Sequence, residues 1–126
     1  MTKGWRLRCK KYPNLMFGKA LSNAKRRAAK RKLPFEIDKE YIINLYESQS
    51  GRCYYSDIPL RIVKESESKM HDNFKMTLDC IDHSLGYTKG NVVWCAYCVN
   101  SFKQDMKKDD MIKICISIMK KNNIKI

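Results

Sequence analysis

Residues 78–103, LDCIDHSLGYTKGNVVWCAYCVNSFK, decide the fold. Met76, Leu78 and Cys80 alternate with Thr77, Asp79 and Ile81, the two-residue period of a short strand, and Asp79 is carried on that strand. Gly86 and Gly90 mark a loop after it. Asn91 is placed to cap a helix covering Val92 to about Lys103. Within that helix Asn100 and Lys103 lie three apart and project from one face. A strand, a turn and a helix in this order can pinch one metal ion. The Asn100 carbonyl can join the Asp79 carboxylate on Mg²⁺ or Mn²⁺ while the Lys103 ammonium holds a phosphate. Hard divalent cations keep several waters and take few protein oxygens, so Asp79, Asn100 and phosphate oxygens suffice for phosphodiester chemistry.

Upstream of this segment, residues 1–17 place Trp5, Tyr12, Leu15 and Phe17 among basic residues, with Pro13 as a helix breaker, and read as a basic arm. From about Lys19 to Lys32 the apolar positions Ala20, Leu21, Ala24 and Ala28 recur at helical spacing, and Lys25, Arg26, Arg27, Lys30 and Arg31 surround them. Pro34 ends that helix. Asp38 caps a second one, running to about Gln49, whose Tyr41, Ile42, Leu45 and Tyr46 form a buried face, and Gly51 stops it. Residues 52–63 read as a hairpin turning at Ser56 and Asp57, and residues 64–75 as a polar surface loop. Asp109 or Asp110 caps a last helix with Ile112, Cys115, Ile116 and Met119 on its apolar face, and the tail from Lys120 to Ile126 frays. The result is one α+β domain over residues 18–126, with its core at about 76–104.

A chain of 126 residues supports one modest core, and 44% apolar with 31% charged residues is the composition of a globular protein. Against 13 acidic residues stand 26 Lys and Arg, a formal charge of +13, which points to a polyanion. The apolar runs are too short for a signal sequence or a bilayer span, so no membrane and no secretion are expected. Six cysteines without a secretory signal fit reduced thiols in the cytoplasm of a bacterium or an infected host cell. Cys95 and Cys98 have the spacing of half a zinc site, which would need Cys53 together with Cys80 or His71. Buried core thiols are the other reading.

Taken in order, Leu78–Asp82 (LDCID), Gly86–Thr88 (GYT), Gly90–Val92 (GNV) and Asn100 to Lys103 resemble the small phage and bacterial HNH endonucleases. The likeness extends upstream through the basic helix, Leu33–Phe35 (LPF), the amphipathic helix and Gly51–Cys53, covering roughly residues 18–106. It implies a ββα-metal core with flanking basic and amphipathic helices, in which Asp79 and Asn100 contact the metal, Asn91 braces the loop against the helix, and Lys103 approaches phosphate. The family commonly has its general-base histidine directly after the strand aspartate, where this chain has Cys80. His83, four residues past Asp79, is the nearest group able to take a proton from water near neutral pH, and Asp82 could hold metal or orient it. Asp79, Asp82, His83, Asn91 and Asn100 are therefore the candidate catalytic residues.

Lys25, Arg26, Arg27, Lys30, Arg31, Lys89 and Lys103 are the candidate DNA contacts, where basic side chains fix register on the backbone. The function expected from the resemblance is a divalent-metal-dependent endonuclease or nickase acting on double-stranded DNA. The alternative is a DNA-binding protein that has lost catalysis and acts as repressor, competitor or structural component. A zinc-stabilised interaction module is a third reading.

Overall fold

The computed structural model describes residues 17–61 and 72–125. The expected basic arm, except for Phe17, lies outside them, as does His71. The elements in chain order are helix α1 (Phe17–Arg31), helix α2 (Lys39–Ser48), strand β1 (Met76–Cys80), a 3-10 turn (His83–Leu85), strand β2 (Val92–Ala96), helix α3 (Tyr97–Lys103) and helix α4 (Lys108–Lys121). β1 and β2 form a two-stranded antiparallel sheet, so the architecture is α+β.

The helix expected from Val92 is not there: residues 92–96 are β2, and the helix begins at Tyr97. Val92, Val93 and Trp94 are β-branched or aromatic and suit a pleated surface. Their pairing settles the matter, with Met76 opposite Ala96, Leu78 opposite Trp94 and Cys80 opposite Val92. All five residues of β2 are buried. A helix there would strip β1 of its partner and leave its buried backbone groups unpaired.

The register divides the sheet into two faces. Met76, Leu78, Cys80, Val92, Trp94 and Ala96 share one, and Thr77, Asp79, Val93 and Cys95 share the other. The first face carries the hydrophobic core beneath α1 and α2. Trp94 is fully buried there, its Nε1 donating to the Ile42 carbonyl at 2.8 Å. Phe17 and Tyr46 meet its ring edge-on at centroid distances of 5.7 and 6.4 Å. Phe17 is thus the first residue of α1 and part of the core, not the end of an arm. Ala24 and Ala28 are buried one turn apart, and their small side chains let α1 approach closely. The second face of the sheet holds Asp79.

Helix ends follow their sequences. Asp38 Oδ1 accepts from the Tyr41 amide at 2.8 Å, the N-cap expected of it. α2 closes with the Gly51 amide on the Tyr46 carbonyl and the Ser50 amide on that of Glu47, Ser50 being left-handed at φ 54°. α1 ends in the same way at Lys32 and Leu33, just before Pro34. α4 does not fray at Lys120: it runs to Lys121 and is closed by the Ile124 amide on the Met119 carbonyl, with Asn123 at φ 58°. Neither Asp109 nor Asp110 caps it. Lys107 holds the cap position, and the two acids lie in the first turn, where they favour the positive end of the helix.

The hairpin expected from residue 52 is a tight loop closed by a single bridge between Arg52 and Pro59. Pro59 has no amide hydrogen with which to continue a ladder, and Asp57 turns the chain at φ 60°. Residues 62–71 lie outside the described residues. The LPF turn and the GYT segment meet each other: the Tyr87 amide donates to the Pro34 carbonyl at 2.9 Å and the Glu36 amide to that of Tyr87 at 2.8 Å. Gly86, at φ 70°, allows this approach, since a Cβ there would lie 2.8 Å from the Pro34 carbonyl oxygen.

Candidate functional site

The alternation that faces Leu78 and Cys80 toward the core turns Asp79 to the opposite side, beneath α3 and the 53–60 loop. Asp79 is 3% exposed. Its Oδ2 accepts from Tyr55 Oη at 2.8 Å and lies 3.1 Å from Lys103 Nζ. Lys103 is fully buried, and Nζ also donates to the Cys80 carbonyl at 3.3 Å. Here the structure corrects the sequence reading: the Lys103 ammonium is spent on Asp79 and β1 rather than presented to a phosphate. A buried carboxylate needs such a partner, because desolvation of an unpaired charge costs several kcal/mol.

With Oδ2 occupied, Asp79 Oδ1 is the oxygen that remains. His83 Nε2 lies 3.4 Å from it, is buried, and makes no hydrogen bond among the described residues. The 3-10 turn sets this position. Asp82 caps the turn, its Oδ1 accepting from both the amide and the hydroxyl of Ser84, and these bonds hold the Asp82 carboxyl below its ordinary range. Asp82 therefore positions His83 through the backbone and is exposed outside the cleft that the histidine lines.

Asn91 is buried and braces the same loop, its side-chain amide donating to the carbonyls of Asp82 and Gly86 at 2.8 and 2.7 Å. Its Oδ1 accepts from the Asp82 amide at 3.0 Å. Every polar atom of that side chain is engaged in holding the loop, and it caps no helix. Asn100 on α3 has its Nδ2 on Thr77 Oγ1 at 3.2 Å, which ties α3 to β1. No hydrogen bond to its Oδ1 is found among the described residues.

Asp79, His83 and Asn100 line one cleft of about 760 Å³ beside the free edge of β1, between α1 and α3. Arg27 and Arg31, one turn apart on α1, line it as well. Arg27 is fixed by Tyr87: Nε donates to Oη at 2.9 Å and the guanidinium lies 5.7 Å from the ring centre. Lys25, Arg26 and Lys30 are exposed elsewhere on α1, Arg26 bonding to Asn23, and Lys89 sits 6.0 Å over the Tyr41 ring. Of the basic residues expected to meet DNA, the structure brings Arg27 and Arg31 to the cleft.

One carboxylate oxygen, one amide oxygen and one imidazole nitrogen in a cleft with two guanidinium groups suit a hard divalent cation that also holds an anionic oxygen. Among the described residues no three or more His, Cys, Asp or Glu side chains converge so as to hold a metal ion. Any cation here is therefore completed by water and ligand. The same observation separates Cys53, Cys95 and Cys98 as zinc ligands. Cys53 and Cys95 are buried core thiols, Cys95 with its Sγ 3.5 Å from Thr77 Oγ1, and Cys98 is half-buried.

Cys80 lines the cleft from the core face of β1. Burial, aided by the Asp79 charge, pushes its thiol up to about 11, so it stays protonated near neutral pH and cannot serve as a base. Tyr55 and Gln49 escaped the sequence reading. Tyr55 is raised by burial and by its neighbour Asp79, so it remains a hydrogen-bond donor. Gln49 spans β2 from the side, its Oε1 accepting from the Trp94 amide at 2.9 Å and its Nε2 donating to the Trp94 carbonyl at 2.8 Å. Neither residue stands in a periodic pattern that marks it. The one signal was the Tyr54–Tyr55 pair, two large aromatics in a short polar stretch.

No protein-family model matches the chain, and no solved structure matches it. Over 93 residues, 74% of its length, the chain is 29% identical to an uncharacterized 29.0 kDa protein in the dda-modA intergenic region of Enterobacteria phage T4. It spans about a third of that protein, 34% of its length. Among the described residues no helix is long and apolar enough to cross a membrane.

Proposed function

We propose that this chain is a DNA-binding, divalent-metal-dependent phosphodiester hydrolase of the HNH type, an endonuclease or nickase. The observation that carries the reading is the meeting of Asp79, His83 and Asn100 in one cleft lined by Arg27 and Arg31. These residues come from a strand, a 3-10 turn and a helix, the arrangement that a ββα-metal core requires. Asp79 Oδ1 and Asn100 Oδ1 would hold Mg²⁺ or Mn²⁺, which when bound stabilises charge on the phosphate and its leaving oxygen. His83 Nε2, without a hydrogen bond among the described residues and directed at the Asp79 side of the cleft, accepts the proton of the attacking water. Arg27 and Arg31 hold the phosphodiester backbone by charge-assisted hydrogen bonds. Lys103 and Tyr55 hold the Asp79 carboxylate fixed in direction.

One observation favours a second reading, a DNA-binding protein without catalysis: position 80 holds a thiol that stays protonated where the family's base stands. A supercoiled plasmid incubated with the chain and Mg²⁺ or Mn²⁺ separates the two. Nicked or linear product, lost in Asp79→Asn and Asn100→Ala while DNA binding persists, is the result expected of the enzyme. Salt-dependent binding with no cutting under either metal would replace it with the second reading. Full activity in both variants would remove this cleft from the chemistry.

A further inference from the structure

α4 is the one helix whose apolar face the described structure leaves largely open. Met111 is buried, but Ile112, Ile114 and Ile118 are 41%, 38% and 54% exposed, and Cys115 is exposed. A shallow groove of about 380 Å³ runs along it, lined among the described residues by Lys113, Ile114, Ser117, Ile118, Lys121 and Asn122. At 100° per residue Ile114, Cys115 and Ile118 share one face. Asp110 and Lys121 lie along the same flank of that face, eleven residues and so just over three full turns apart.

We propose that α4 is the contact through which two copies of this chain associate, the helices lying antiparallel across a twofold axis near residues 115 and 116. In an antiparallel pair like flank meets like flank, so Asp110 of each copy faces Lys121 of the other. The numbers 110 and 121 are symmetric about the axis, and the ion pair forms twice. In a parallel pair opposite flanks would meet, and neither Asp110 nor Lys121 would face the other. Opposed helix dipoles favour the same choice. The formal charge of +13 on each copy opposes association. Screening over about 8 Å at physiological salt confines that repulsion. A 14-residue helix is roughly 21 Å long, so the contact is small and the association is expected to be reversible. Nothing in this proposal depends on the nuclease reading.

The whole chain is sedimented by analytical ultracentrifugation at up to about 100 µM, and copper-phenanthroline oxidation is read on a non-reducing gel. A reversible dimer is expected, cross-linked through Cys115, which lies beside the axis, with Cys115→Ser removing the cross-link. Ile118→Glu, at an exposed position where folding is unaffected by circular dichroism, abolishes the dimer. Asp110→Lys weakens it roughly tenfold by replacing two attractions with two repulsions, and adding Lys121→Asp restores it. A monomer throughout overturns the proposal. A maleimide-protected Cys115 would then assign the face to cover by the chain itself, and a reactive one to open surface. A dimer indifferent to Ile118→Glu and to the charge exchange overturns it equally, by placing the interface elsewhere.

Discussion

Lys103 Nζ lies 3.1 Å from Asp79 Oδ2, with the two side chains 0% and 3% exposed. The pair joins the last turn of α3 to the centre of β1, so the residue proposed to hold a cation is also a structural joint of the sheet's second face. Its charge balance and its catalytic use are thus separable by mutation.

Lys103→Met keeps the length and apolar volume of the side chain but leaves the Asp79 carboxylate with Tyr55 as its remaining hydrogen-bond donor. The unfolding free energy should fall by about 3 kcal/mol, the cost of a buried charge without its partner. Adding Asp79→Asn removes that charge and should recover at least about half of the loss. Urea denaturation with an unchanged m-value measures both steps. Additive losses in the double variant would mean that the two residues are not coupled.

Gly86 stands where the LPF turn presses on the GYT segment. A methyl group there meets the Pro34 carbonyl oxygen at 2.8 Å and sits on a backbone at φ 70°. Gly86→Ala should therefore lower stability by about 2–3 kcal/mol. Gly90→Ala has open space around its Cβ at φ 87° and serves as the comparison, with a loss of about 1 kcal/mol from conformation alone. Equal losses at the two glycines would remove the close approach as the cause.

The alkaline limb of stability has a sign fixed by two thiols. Burial raises Cys80 from its ordinary 9.0 to about 11 and Cys95 to about 12. Above pH 9 the unfolded chain releases these protons while the folded chain retains them, so the unfolded state binds fewer protons and stability falls as pH rises. Their contribution is complete below pH 9 and is lost as pH passes through about 11 and then about 12. Cys80→Ser should flatten the decline between pH 9 and 11 when unfolding is followed at a series of pH values. An unchanged slope would mean that the Cys80 thiol titrates alike in both states.

Much of this site was legible because its residues stand at fixed offsets in a short segment. Asp79 on a strand needed only the two-residue alternation, whereas the bracing role of Asn91 and the pairing of Asn100 with Asp79 were expected from the resemblance to the HNH endonucleases. Asp38 could be read as a cap because its partner, the Tyr41 amide, is three residues away. Residues 92–96 misled because an asparagine before an apolar run is also the start of a helix. Their strand state depends on pairing with residues 76–80, which no local pattern contains. Lys103 and Tyr55 misled or were missed on the same ground, their common partner Asp79 being 24 residues from each. The face expected of α4, Ile112, Cys115, Ile116 and Met119, left out Met111, the residue that is buried, and two of its members, Ile112 and Cys115, are exposed, because periodicity identifies a face without naming what covers it.

His83 and Cys80 offer rival positions for the base, and the sheet register distinguishes them. Cys80 shares the core face with Leu78, whereas His83 turns Nε2 to within 3.4 Å of Asp79 Oδ1 from the other side. An imidazole there can take a proton from water held beside Asp79, whereas the Cys80 thiol, though it also lines the cleft, stays protonated and cannot. His83→Ala should lower the cleavage rate by about 10²–10⁴-fold, the usual contribution of a positioned acid or base, while leaving DNA affinity within about twofold. Cys80→Ser, which leaves His83 in place, should keep the rate within about threefold. Single-turnover cleavage under Mn²⁺ reads the chemical step apart from binding and product release. A rate that survives His83→Ala but collapses in Cys80→Ser would move the base to position 80 and reverse this assignment.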